Sequence, residues 1–185
     1  VHANDGMSSG PGDSSTLSLD YAVNALAAGD LVITEIMQNP SAVGDSSGEW
    51  FEIYNTTANT INLHGLSISD AQASTVVDQV VEIGPASYAV LSNNADFATN
   101  GGITVDYEYD NIQLNNSGEQ YLSLDNVSGT IDMVEWDDGI TMPDPNGNSM
   151  NLSSDFVDAT DNDSGVYWCE SGSMMASGDY GTPGS

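Results

Sequence analysis

The chain has 185 residues, with no lysine, no arginine and 28 aspartates and glutamates, and its formal net charge is −28 at pH 7. Because proteins neutralise nucleic-acid phosphates with Lys and Arg, this composition argues against nucleic-acid binding. No run of about 18 apolar residues is present, so the sequence predicts no membrane span.

The acidic composition also constrains the folded state. Ordinary salt bridges cannot form without a Lys or Arg partner, and exposed carboxylates repel one another over about 8 Å at 0.15 M salt. We therefore expect the compact state to prefer salt or divalent cations. Apolar residues make up 39% of the chain, enough for a core. Since cytosolic proteins rarely lack both cationic residues, the composition predicts an extracellular or cell-surface protein.

The N-terminal part of the chain divides into two stretches. Residues 1–15 are rich in Gly, Ser and Asp and are predicted to be a flexible leader. Residues 16–25 then alternate apolar and mostly polar side chains, which is typical of a strand. A helix is the rival interpretation for residues 20–28. The apolar face of the predicted strand consists of Leu17, Leu19, Tyr21 and Val23.

Short apolar segments follow at regular intervals after residue 30. Turn residues such as Gly84-Pro85 and Asn100-Gly101-Gly102 separate them, and no sustained helical stripe is present. Such spacing favours an antiparallel sandwich or barrel. The predicted strands are residues 31–37, 49–54, 61–68, 76–83, 88–92, 103–109, 121–125 and 130–136. The chain after Asp137 is predicted to be rich in loops.

Two blocks, LVITEIMQNP at residues 31–40 and EWFEIYN at residues 49–55, resemble lamin-tail domains of the bacterial secreted type. INLHGL at residues 61–66 and NSGEQYLSL at residues 116–124 continue the resemblance, as do Trp168-Cys169 and the closing GTPG. The resemblance covers about residues 30–185. Leu66 stands where the family usually has Trp, and Asn151 where it commonly has Arg.

The resemblance implies an all-β protein, an immunoglobulin-like antiparallel β-sandwich, here with an N-terminal extension strand. The sequence thus divides into residues 1–29, the leader and strand, and residues 30–185, the sandwich. The resemblance does not imply an activity, since bacterial members are usually non-catalytic modules of secreted or surface proteins. A fold of this kind hosts many unrelated functions.

The residues offer little for catalysis. His2 lies in the predicted leader, and His64 lies in a turn that resembles a structural motif of the family. Cys169 is the only cysteine, so it is either a buried small residue or a thiol for intermolecular pairing. It has no cationic neighbour in sequence that would lower its pKa. We therefore expect no enzymatic activity.

Divalent cations, Ca²⁺ above all, are the expected ligands, because Ca²⁺ takes oxygens from carboxylates, Asn and backbone carbonyls. The stretch from residue 155 to 165 is the first candidate, and none of the acidic clusters has the EF-hand spacing. For any single cluster, a solvated acidic loop is the competing interpretation. The candidate ligands are Asp158, Asp161 and Asp163 in that stretch, with Asp137, Asp138 and Asp144 as lesser candidates.

The strand at residues 16–25 lies before the lamin-tail resemblance begins. It can pair with an edge of its own domain, or it can complete a neighbouring subunit by donor-strand complementation. A head-to-tail contact that does not close grows a filament. The sequence thus predicts a homopolymer, an extracellular filament subunit held by this strand and by divalent cations. The alternatives are an adhesion or carbohydrate-binding module, with Trp50, Trp136 and Trp168 as a stacking platform, and an accessory domain of a secreted protein.

Overall fold

A computed structural model describes residues 25–185. Twelve strands, one short α-helix and two 3₁₀ helices form within this range. In chain order they are β1 (Leu31–Met37), α1 (Asp45–Gly48), β2 (Trp50–Asn55), β3 (Ile61–Asn62), β4 (Ser67–Asp70), β5 (Ser74–Val76), β6 (Glu82–Ile83), β7 (Tyr88–Ser92), β8 (Tyr107–Glu108), β9 (Glu119–Asn126), β10 (Gly129–Asp137), β11 (Met150–Leu152), the 3₁₀ helices Ser154–Phe156 and Gly165–Tyr167, and β12 (Trp168–Glu170).

The strands form two main sheets that pack face to face. The larger sheet has the order β12-β11-β1-β2-β7-β8, the smaller one has the order β10-β9-β4-β5, and β3 and β6 form a separate pair. All pairings are antiparallel except β7 with β8. The predicted all-β sandwich is confirmed.

The core lies between the two sheets because strand alternation sends every second side chain inward. Phe51 and Ile53 of β2 contact the same apolar cluster as Leu122 and Leu124 of β9, and each of these side chains is fully buried. At about 25 cal/mol per Å² of apolar surface removed from water, this burial is the main source of stability.

Two predicted strands are wrong because a turn interrupts each of them. Residues 61–68 split into β3 and β4, since Gly65 has a φ of +90° and Leu66 donates a backbone hydrogen bond to the Leu63 carbonyl at 2.8 Å. Within residues 76–83, only the last residue of β5 and the two residues of β6 lie in strands, and residues 77–81 between them do not. The prediction for 103–109 was too long, since only Tyr107–Glu108 pairs. Five elements were not predicted: α1, β11, β12 and the two 3₁₀ helices.

The outer face of the larger sheet is covered by the last residues of the chain. Gly181 lies over this face, where a Cβ atom would come within 2.9 Å of the Trp50 ring and 3.2 Å of the Glu35 carboxylate. Met37, Trp50 and Val90 form a second apolar cluster here. Both faces of the central strands are therefore buried, which explains why all seven residues of β1 are inaccessible.

Gly165, at the end of the acidic stretch, packs closely against the loop after β10, and a substitution there tests this packing. A Cβ atom at this position would lie 1.8 Å from the Thr141 carbonyl oxygen. We expect Gly165→Ala to lower the free energy of unfolding by about 1–3 kcal/mol, since overpacking forces the backbone to shift. Gly172→Ala is the matched control, because no atom lies within 4 Å of its Cβ. Urea denaturation measures both, and equal stabilities would show that the two loops are not packed as described.

Candidate functional site

Among the described residues, β10 is a terminal strand of the smaller sheet and has few partners on its outer side. It pairs with β9 on one side along Gly129–Asp137. Among the described residues, the backbone hydrogen bond on its other side is the one that the Gly29 N–H donates to the Ile131 carbonyl at 2.8 Å. Open strand edges are templates for pairing with another chain. Residues 133–137 of β10 therefore form a candidate receiving edge, the name used below.

The chain reaches this edge from one end. The Leu26 carbonyl accepts a hydrogen bond from Asn126 Nδ2 at 2.9 Å, and Asn126 ends β9 at the β9–β10 hairpin turn. Gly29 lies three residues later, opposite Ile131. Going backward from Gly29 to Leu26, the chain thus runs toward the hairpin turn and away from the receiving edge. The predicted anchors Leu17, Leu19, Tyr21 and Val23 lie outside the described residues.

The receiving edge is acidic and partly apolar. Met133 is 36% exposed, Glu135 is exposed and Trp136 is buried. Trp136 Nε1 donates to the Asn115 carbonyl at 2.8 Å, which fixes the indole beneath the strand. A strand added at the receiving edge would therefore pair with a strand held in place by the Trp136 side chain, and would contact one exposed apolar side chain, that of Met133.

The lesser cation candidates take part in local hydrogen bonds. Asp137 Oδ1 accepts the backbone N–H groups of Ile140, Thr141 and Met142 at 2.8–3.2 Å, and Oδ2 accepts the Thr141 hydroxyl. These bonds lower the pKa of Asp137, the backbone bond to Thr141 contributing most. Its carboxylate therefore closes the loop that follows β10.

The other two lesser candidates do not share that site. Asp144 Oδ1 accepts from Gln38 Nε2 at 2.8 Å. Asp138 occupies a left-handed backbone position with a φ of +61°. The structure thus gives Asp137, Asp138 and Asp144 separate surroundings within one loop region.

The acidic stretch forms a turn whose carboxylates face different ways. Asp158 Oδ1 accepts the Thr160 N–H at 2.8 Å, and the Asp158 carbonyl accepts the Asn162 N–H at 3.0 Å. Asp158 and Asp163 line a shared cavity of about 320 Å³, whereas Asp161 is not among its lining residues. The turn therefore brings together two of the three predicted ligands.

Asp132 of β10 also lines this cavity and was not predicted. It is 3% exposed, and its Oδ2 accepts the Ile33 N–H at 2.6 Å and Asn162 Nδ2 at 2.8 Å. The pKa of Asp132 is raised to about 6, mainly by burial and to a smaller extent by repulsion from Asp163, while the bonds from Ile33, Asn162 and the Met133 backbone act to lower it. Burial likewise raises the pKa of Asp163.

Glu35 and Glu52 are opposite one another on β1 and β2 and hold the C-terminal residues. Glu35 accepts the Ser149 hydroxyl and the Thr182 N–H and hydroxyl, the last two at 2.8 and 2.7 Å. Glu52 accepts the Thr34 hydroxyl at 2.7 Å and the Gly184 N–H at 2.6 Å. Burial raises both pKa values, that of Glu52 to about 7, against the lowering effect of these bonds. The two carboxylates act as a clasp for residues 182–184.

Glu49 is a third buried carboxylate. Burial raises its pKa to about 7, with smaller contributions from Asp45 and Asp70, while the bond from Leu114 lowers it. Its Oε2 accepts the Leu114 N–H at 3.0 Å. Among the described residues, no group of three or more His, Cys, Asp or Glu side chains lies close enough together to hold a metal ion.

The remaining chemistry-bearing residues are scattered. Cys169 is exposed on the terminal strand β12, so of its two interpretations the buried small residue is wrong, and pairing between molecules stays a prediction. His64 lies in the exposed turn between β3 and β4. Trp50, Trp136 and Trp168 are each at most 6% exposed, so these rings cannot serve as a stacking platform. None of the described helices has the length and apolar character needed to cross a membrane.

The two packed sheets, the buried interlayer and the Greek-key-like strand order define an immunoglobulin-like β-sandwich. The lamin tail domain family matches residues 24–154, and the chain belongs to this family. The match begins just before Leu26 and ends at the first 3₁₀ helix, so the acidic stretch and the C-terminal residues 182–184 lie beyond it. A search among curated proteins finds no match. The lamin-tail fold is a non-enzymatic structural fold and suits a structural or accessory module.

Proposed function

We propose that the protein is a non-enzymatic subunit of an extracellular filament. Residues 16–25 of one subunit add as a strand to the receiving edge of the next, and their apolar face packs against that subunit. The contact repeats head to tail. The observation that supports the proposal is that no strand within residues 25–185 pairs with the outer side of β10 beyond Ile131. Leu17, Leu19, Tyr21 and Val23 are the proposed anchors.

The direction of the chain favours pairing with a neighbour. Since Leu26 lies against the β9–β10 hairpin turn, the described part of the chain begins at the end of β10 that is farther from residues 133–137. To reach its own receiving edge, a strand at residues 16–25 would have to reverse its course. A neighbouring subunit placed end to end needs no reversal.

Charge explains why assembly would depend on cations. Each subunit carries −28, and the edge itself bears Glu135 and Asp137. Polyanions approach one another only when salt or divalent cations screen this repulsion. Divalent cations, Ca²⁺ in particular, are therefore proposed partners, and seawater-like or extracellular fluids would provide them.

Electron microscopy of the purified chain tests the proposal. We expect filaments from residues 1–185 in Ca²⁺, and monomers from a chain that begins at residue 25. The deletion stops there because Leu26 is buried and Gly29 bonds to Ile131, so a longer deletion would damage the fold. Circular dichroism confirms that the shortened chain is folded. Monomers from both chains would overturn the filament and leave an accessory module as the better account.

A further inference from the structure

The cavity beside β10 gathers negative charge without any cationic side chain. Its lining comes from the start of β10, from residues 28 and 29, and from the turn at 158–163. Three carboxylates, those of Asp132, Asp158 and Asp163, belong to this lining. Because the chain has no Lys or Arg, no such side chain can neutralise them.

Two buried oxygens in this cluster have no donor. Asp132 Oδ1 and Asn162 Oδ1 are inaccessible and have no hydrogen-bond partner among the described residues. Asp132 is 3% exposed and Asn162 is fully buried. The two side chains already contact one another through Asn162 Nδ2 and Asp132 Oδ2 at 2.8 Å. A buried acceptor left without a partner costs about 1–3 kcal/mol, and more when it is charged.

We infer that these oxygens bind a calcium ion. Asp132 Oδ1, Asn162 Oδ1 and the Asp163 carboxylate are the assigned ligands, with water completing the shell. Since no three acidic, Cys or His side chains converge among the described residues, neutral oxygens must contribute. Ca²⁺ accepts six to eight mixed oxygen ligands in adaptable geometry, whereas Mg²⁺ demands a strict octahedron.

The calcium site lies close to the proposed assembly contact, and its role in assembly rests on the proposed function. Gly29, Ile131 and Asp132 all line the cavity, so an ion there would tie the acidic turn to the root of the N-terminal segment. Ile131 also accepts the Gly29 N–H just before the receiving edge begins. Calcium would thereby fix the direction in which the N-terminal segment leaves the subunit.

Terbium luminescence tests the site in the full chain. Tb³⁺ substitutes for Ca²⁺ and emits when a nearby indole is excited, and Trp168 Nε1 donates to the Asn162 carbonyl at 2.8 Å. Mg²⁺ in excess occupies weak surface carboxylates, and Ca²⁺ is then titrated as the competitor. We expect Asp132→Asn to weaken Ca²⁺ binding about tenfold or more. Asp161→Asn removes the same charge from the same turn without touching the cavity, and should change affinity less than about twofold.

The outcomes separate this inference from the filament. Equal affinities for Asp132→Asn and Asp161→Asn would overturn the site and would indicate that a proton shared by Asp132 and Asn162 satisfies the two oxygens. If Asp132→Asn does not fold by circular dichroism, Asp163→Asn takes its place with the same expectation. Light scattering of the same samples reports polymerisation separately, so calcium binding by a chain that stays monomeric would support the site and contradict the filament.

Discussion

A chain with serine at positions 17, 19, 21 and 23 should remain monomeric under conditions in which the parent forms filaments. The substitutions remove four apolar anchors, each worth roughly 1.5–3 kcal/mol when buried. The loss should raise the critical concentration for assembly by several orders of magnitude. Sedimentation of the polymer at a series of protein concentrations measures it.

The opposite face of the same segment provides the matched control. Replacing Ser18 and Ala22 with threonine keeps the segment's length and charge and leaves the anchors in place. This variant should polymerise as the parent does. Equal loss of polymer in both variants would mean that the segment acts through its backbone or charge, and would contradict the assigned anchors.

The anchor-free chain also has a second use. It retains the receiving edge of β10, so it should bind the growing end of a filament and, lacking anchors, stop further addition. Added to the parent at a small molar fraction, it should shorten filaments in electron micrographs. No shortening would indicate that the incoming strand docks elsewhere on the subunit.

The second large effect is an increase in stability on acidification. Burial raises the pKa of Glu49 from 4.5 to about 7, so the folded state binds more protons than the unfolded state between these values. The contribution of Glu49 is therefore fully present below about pH 4.5 and is lost as the pH rises through 7. At about 1.4 kcal/mol per pH unit, this amounts to roughly 3 kcal/mol. Glu52 acts in the same direction.

Glu49→Gln isolates this contribution. A glutamine oxygen can still accept the Leu114 N–H, and the side chain no longer ionises. The variant should be more stable than the parent at pH 8 by about 2–3 kcal/mol and nearly equal at pH 5. Glu82→Gln removes the same charge from an exposed position and controls for general repulsion. Urea denaturation at both pH values measures the three chains, and parallel pH profiles for all of them would refute the assignment.

The sequence predicted the strands that are long and bounded by turn residues. The limits of β1 and β7 are those expected, because apolar runs there end at Asn39-Pro40 and at a Ser-Asn-Asn turn. The break at residues 63–66 had a signal that was missed: the apolar positions change from odd at Ile61 and Leu63 to even at Leu66 and Ile68. A strand cannot make that change without a turn or bulge.

The candidate site was harder to predict from sequence. Asp132 reads as a polar residue on an alternating strand, yet a bulge between Thr130 and Asp132 alters the register with β9. Next to this bulge Asp132 is buried, and its carboxylate accepts the backbone N–H of Ile33, a residue 99 positions away in the chain. The acidic stretch was recognised from its composition, but only the fold distinguishes Asp163, which lines the cavity, from Asp161. Strands β11 and β12 are three residues each and too short for a periodic signal.

The C-terminal clasp has a consequence for the time course of folding. Glu35 and Glu52 belong to the first two of the described strands, but their N–H donors at Thr182 and Gly184 are 147 and 132 residues later. Until those residues have been made, the face of the larger sheet that carries both carboxylates lacks its cover and these hydrogen-bond donors. Contacts of such separation slow folding because a long loop must close first. The sandwich should therefore reach its native state only after residue 184 has been made.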